Sequence, residues 1–123
     1  MDVKASEIEH INVKHDGQLM LAIGKSKLET HWKNKSILWS ELVNRLSKTL
    51  RTQETYTEYK KMSKTEKDRV KDVGGFVGGS LKNGRRKAEN IANRSIITLD
   101  IDYADKAIWD DITLLNDYAC LMY

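Results

Sequence analysis

Ser95-Ile96-Ile97-Thr98-Leu99-Asp100-Ile101-Asp102-Tyr103-Ala104-Asp105 is the stretch on which the second half of this chain turns. Its content of Ile, Leu and Thr predicts a strand over 95–103. Two carboxylates, Asp100 and Asp102, sit in it one residue apart. Side chains i and i+2 of a strand share a face, with α carbons about 6.5–7 Å apart. A buried carboxylate is destabilising by several kcal/mol unless it is paired or bound to a metal. Two readings are therefore open. The acids hold one or two divalent cations, as phosphoryl-transfer sites do, or they face water at the end of a strand. Asp105 suits a helix N-cap better than a third ligand.

Working outward, 106–116 reads as a helix with an apolar stripe of Ile108, Trp109, Ile112 and Leu115. Residues 118–123 read as a last apolar strand. Strand, helix and strand in this order predict a right-handed crossover with parallel pairing. The expected fold class is α+β or α/β, a mixed sheet with flanking helices. The chain stops inside the last predicted strand, which reads as truncation.

Upstream of the acid pair lies Lys82, then Asn83-Gly84, then Arg85-Arg86-Lys87, with Arg94 following. Asn-Gly marks a turn. Arginine clusters suit phosphate through bidentate hydrogen bonds, although a solvated face carries the same composition. Before it, Gly74-Gly75-Phe76-Val77-Gly78-Gly79 predicts a strand whose backbone closely approaches something else. The glycines either form a phosphate cradle, whose bare amides approach an anion, or a tight structural turn. The segment matches neither a Walker A loop nor a dinucleotide fingerprint.

In the first half, 8–14 and 19–23 are apolar runs flanking His15-Asp16-Gly17, the pattern of a hairpin. The Lys-rich sequence after Gly24, with Trp32 in its middle, is compatible with a short strand and loop. A helix is predicted over 37–50, where Ile37, Leu38, Leu42, Val43, Leu46 and Leu50 recur at three- and four-residue spacing. A short helix over 52–61 carries Tyr56 and Tyr59. Ser63-Lys64-Thr65-Glu66 is a capping box opening a charged, solvated helix to about Lys71.

The chain has 123 residues, 40% apolar and 32% charged, and suits a single domain over 1–123. It contains no run of 18 apolar residues and no apolar signal core at its start, so a cytoplasmic protein without membrane contact is expected. The net charge of +3 hides an asymmetry. Residues 1–50 carry 8 Lys/Arg against 6 Asp/Glu, residues 51–94 carry 12 against 6, and residues 95–123 carry 1 against 6. A basic middle joined to an acidic end is the layout expected where phosphates and cations meet. His10, His15 and His31 show no ligand spacing with each other or with Cys120, so zinc is not expected. Cys120 reads as a small core hydrophobe and Trp32, Trp39 and Trp109 as core anchors.

Lys71-Asp-Val-Gly-Gly-Phe-Val-Gly-Gly79, Gly84-Arg-Arg-Lys87 and Arg94-Ser-Ile-Ile-Thr-Leu-Asp-Ile-Asp-Tyr-Ala104 together resemble the N-terminal part of primases from bacteriophages and mobile elements of Gram-positive bacteria. Those belong to the archaeo-eukaryotic primase, or primase-polymerase, superfamily. The resemblance implies an RRM-like catalytic lobe in which Asp100 and Asp102 are catalytic and bind Mg²⁺ or Mn²⁺. It implies template-directed nucleotidyl transfer for primer synthesis, a bacterial cytoplasm, and nucleic acid and nucleotides as partners. Lys82, Arg85, Arg86, Lys87 and Arg94 are the expected phosphate or nucleic-acid contacts. A Ser-x-His motif and a further metal-binding Asp would follow in that family, and this sequence does not contain them. The polypeptide alone is therefore expected to be inactive in primer synthesis. The alternative is a non-catalytic phage or mobile-element protein that binds nucleic acid or a host protein.

Overall fold

The structure, a computed structural model, describes residues 15–114 and 119–121. The elements are β1 (Gln18–Gly24), β2 (Lys33–Leu38), α1 (Trp39–Leu46), α2 (Tyr56–Lys61), α3 (Lys64–Lys71), β3 (Gly75–Val77) and α4 (Lys106–Leu114), with a single 3-10 turn at Ala88–Asn90. The class is α+β. The three strands form one sheet in the order β2-β1-β3, and both pairings are antiparallel. Among the described residues the sheet is thus antiparallel, where the sequence reading expected a mixed one.

β1 is central and apolar on both faces, as a covered middle strand must be. Leu21, fully buried, packs with Ile37 and Leu42, and around them lie Leu19, Ile23, Trp39, Leu46, Phe76 and Ile96. The opposite face carries Ala22 against Trp32 and Leu81, flanked by Val77 and Ile91. Alternation along β1 thus sends odd positions toward α1 and even positions toward the irregular segment after β3.

The expected hairpin at Asp16-Gly17 has its first arm, 8–14, outside the described residues. Within them, β1 pairs instead with β2, in register Leu19↔Ile37 and Leu21↔Lys35. Asp16 caps α1: its carboxylate accepts from the Ser40 amide at 2.8 Å and from the Ser40 hydroxyl at 2.6 Å. The helix expected over 37–50 is shorter at both ends. Ile37 and Leu38 are taken by the ladder with β1, and between Leu46 and Leu50 nothing apolar is buried, Leu50 being 71% exposed. The Ser47 hydroxyl donates to the Val43 carbonyl at 2.7 Å and closes the last turn.

α2 and α3 are held by local chemistry, since neither buries a residue. Thr55 with Glu58 and Ser63 with Glu66 form reciprocal capping boxes. In each box the cap's backbone N–H, donating to the glutamate, holds that carboxyl below its usual range. α3 then ends at Asp72, which ties it to the loop after β1. The Asp72 carboxylate accepts from the Ser26 hydroxyl at 2.5 Å, the Lys27 amide at 2.9 Å and the Gly74 amide at 3.3 Å.

These donors, Ser26 first, lower the Asp72 pKa. A carboxyl with a lowered folded-state pKa adds stability that is complete above its unfolded pKa of about 4 and is lost as pH falls through the folded value. Asp72→Asn is therefore expected to be less stable than the parent at pH 7, with the gap closing below about pH 4. Urea midpoints by circular dichroism at pH 7, 5 and 3 test this; a gap that stays constant to pH 3 contradicts it.

The strand expected over 95–103 is not formed. Ser95 and Ile96 donate to the Gly78 carbonyl at 2.8 and 3.0 Å, and Ile96 reaches the core. Beyond Ile96 no strand lies alongside among the described residues, and Ile97 and Leu99 are 82% and 78% exposed. Apolar alternation makes a strand only where a partner supplies ladder hydrogen bonds. The helix after it is present, with the Asp105 carboxylate accepting from the Ile108 amide at 3.2 Å, the expected N-cap. Of the last predicted strand, 118 and 122–123 lie outside the described residues, while 119–121 have no regular structure. Cys120 is exposed there, and among the described residues it is not the core hydrophobe expected. Trp32 is buried, and Trp39 and Trp109 are half-buried.

Candidate functional site

After β3 the chain doubles back on itself. Leu81 bridges Ile91, the Lys82 amide donates to the Asn90 carbonyl at 2.8 Å, and the Ala92 amide donates to the Ser80 carbonyl at 2.9 Å. A Cβ on Gly79 would collide with the Asn93 carbonyl. The glycines after Phe76 thus admit residues 93–96, and the close backbone approach expected of this stretch is made to chain rather than left open.

Three contacts from distant sequence fix the turn at 81–84. The Asn34 side chain donates to the Leu81 carbonyl and accepts from the Leu81 amide, each at 2.9 Å. The Trp32 amide donates to the Gly84 carbonyl at 2.7 Å. Gly84 has φ +68°, and a side chain there would strike the His31 imidazole. A groove of about 530 Å³ lies between these two segments. Trp32 and Leu81, both buried, form its floor, and His31, Lys33, Asn34, Lys82, Asn83 and Gly84 its walls.

Cations gather at the turn. The Arg86 guanidinium lies 4.7 Å from the centre of the Trp32 ring, a cation–π contact that holds a long side chain in place. Its Nη2 is 3.5 Å from the Lys27 carbonyl. Lys82, Arg85 and Lys87 are exposed, as is Lys33 across the groove. None of these side chains joins an ion pair among the described residues. The turn therefore presents uncompensated positive charge on a backbone fixed from two sides. Arg94 is exposed as well, but its backbone lies against Gly79 rather than at the turn.

Asp100 and Asp102 are exposed, on the unpaired segment that follows Ile96, beside a turn in which Tyr103 has φ +58°. No hydrogen bond or ion pair joins them to the basic turn among the described residues. Nor do the described residues contain a group of three or more His, Cys, Asp or Glu able to hold a metal ion. A cation here would have two protein carboxylates, and water or a bound phosphate would have to complete its shell.

Sequence reasoning found the basic run and the Asn83-Gly84 turn. It missed Asn34 and Lys33, and it set His31 aside for lack of ligand spacing. The only local hint was Lys33-x-Lys35, a polar alternation consistent with an edge strand.

Fold and site together define a small α+β unit whose one concentrated surface is a basic groove beside a braced turn. The chain belongs to the VapE N-terminal domain family, which matches residues 4–123. Membership points to a phage or mobile-element protein, the origin expected from sequence. No curated protein and no solved structure matches it. No helix of the described residues is long and apolar enough to cross a membrane.

Proposed function

We propose that this chain is a nucleic-acid-binding module of a phage or mobile-element replication protein. The observation that carries the reading is the braced turn: Lys82, Arg85 and Lys87 are exposed without ion-pair partners, and Arg86 is fixed beside them on Trp32. Fixed cations without internal partners gain most from a polyanion, because binding releases the counterions condensed on it. Titrating a fluorescent 12-nucleotide oligonucleotide by anisotropy at rising salt tests this. With three or four phosphates engaged, log K is expected to fall against log salt with a slope of about −2 to −3. Affinity that does not change with salt, or no binding at 50 mM salt, sinks the proposal.

The finer reading is a primase-like lobe. It draws support from Asp100 and Asp102, which stay accessible on the unpaired segment that follows Ile96. In that reading the two carboxylates would hold Mg²⁺ or Mn²⁺, which would supply Lewis-acid stabilisation of a transferring phosphoryl group. The described residues offer no third acid, so this chain's own part is limited to presenting two anionic ligands. No primer synthesis by the isolated chain is expected.

A further inference from the structure

We propose that the groove between 31–34 and 81–84 takes a single strand rather than a duplex, with one base stacked on the His31 imidazole. This rests on the nucleic-acid reading and specifies what that surface holds. The groove is open to solvent, so its exposed ring can meet the free face of an unpaired base, whereas a base inside a duplex already has both faces stacked.

The walls have the matching chemistry. His31 is exposed, and its ring lies close to Gly84, whose lack of a side chain makes room for it. An accessible aromatic ring is the platform on which unpaired bases stack. Lys82, exposed on the turn, lines the same groove and is placed for a phosphate flanking the stacked base. The Asn34 amide, the group best suited to reading a base edge, is already engaged by the Leu81 backbone. Recognition therefore comes from stacking and charge, with little preference among bases.

The test compares labelled (dT)12 with a 12-base-pair duplex, using the full chain, His31→Ala and His31→Phe. His31 is exposed, so both variants are expected to fold, and circular dichroism checks this. Wild type should prefer the single strand. His31→Ala should weaken (dT)12 binding about tenfold, His31→Phe should restore it to within about threefold, and duplex affinity should change in neither. Unchanged (dT)12 affinity in His31→Ala, or equal losses in Ala and Phe, overturns the stacking inference. In that case a salt-dependent affinity that survives leaves the basic-turn reading standing. Absence of any oligonucleotide binding by wild type overturns both.

Discussion

Trp32→Ala is expected to lower the stability of this domain by about 3–5 kcal/mol, the usual loss for emptying a large aromatic from a core. Trp32 is 3% exposed and is the largest side chain packed on the outer face of the sheet, against Ala22 and Leu81. It also lies over Gly24, where any side chain would collide with the indole, and under the Arg86 guanidinium. Its removal therefore empties a core and frees the turn at once. Domains of this size are stable by roughly 5–15 kcal/mol, so the variant should be close to unfolding at 37 °C. Trp32→Phe separates packing from polarity. The indole Nε1 is buried and has no acceptor among the described residues, and an unsatisfied buried donor is itself destabilising by about 1–3 kcal/mol. Phenylalanine fills less of the space but removes that donor, so its loss should stay below about 2 kcal/mol. Urea unfolding followed by circular dichroism gives both values. A Trp32→Ala midpoint equal to wild type would falsify this account of the second core.

What could be read before folding was the chemistry contained in a few consecutive residues. Ser63 and Glu66 announce α3 because both partners of the capping box lie within one turn. Asp105 announces α4 in the same way, and Asn83-Gly84 announces a turn that Gly84 completes with φ +68°. Decisions taken between distant segments were not legible. Ile37 and Leu38 fit a helical stripe and a strand equally well, and it is Leu19, eighteen residues earlier, that draws Ile37 into β2. Residues 97–103 carry a strand's alternation, but alternation does not reveal whether a neighbour exists.

The site divides along the same line. Arg85, Arg86 and Lys87 are a local run, visible at once. The groove beside them depends on Asn34 reaching Leu81 and on Trp32 reaching Gly84 and Arg86, contacts spanning about fifty positions. Asp100 and Asp102 were legible as a motif and remain one: two exposed acids, which the described residues do not gather with a third. Among the described residues the charge asymmetry thus resolves into a braced basic turn and an acidic, unpaired segment that share no hydrogen bond or ion pair.

Arg85→Ala/Arg86→Ala/Lys87→Ala is expected to weaken oligonucleotide binding about 10- to 100-fold at 0.1 M salt. Every phosphate that is no longer neutralised by a side chain should also flatten the salt slope by about 0.7–0.9, so the slope should drop by about 2. The three residues differ in what else they do, and this lets the effect be divided. Arg85 and Lys87 are exposed and join no ion pair among the described residues, so Arg85→Ala/Lys87→Ala should cut affinity without shifting the urea midpoint. Arg86 stacks on Trp32, so Arg86→Ala should also lower stability modestly and alter Trp32 emission. Arg86→Lys keeps the charge and loses the planar face, so it should retain most of the affinity and little of the stacking. The decisive comparison is the double variant. If it binds as tightly as wild type with an unchanged salt slope, the turn is a solvated face, and the nucleic-acid surface has to be sought elsewhere on the chain.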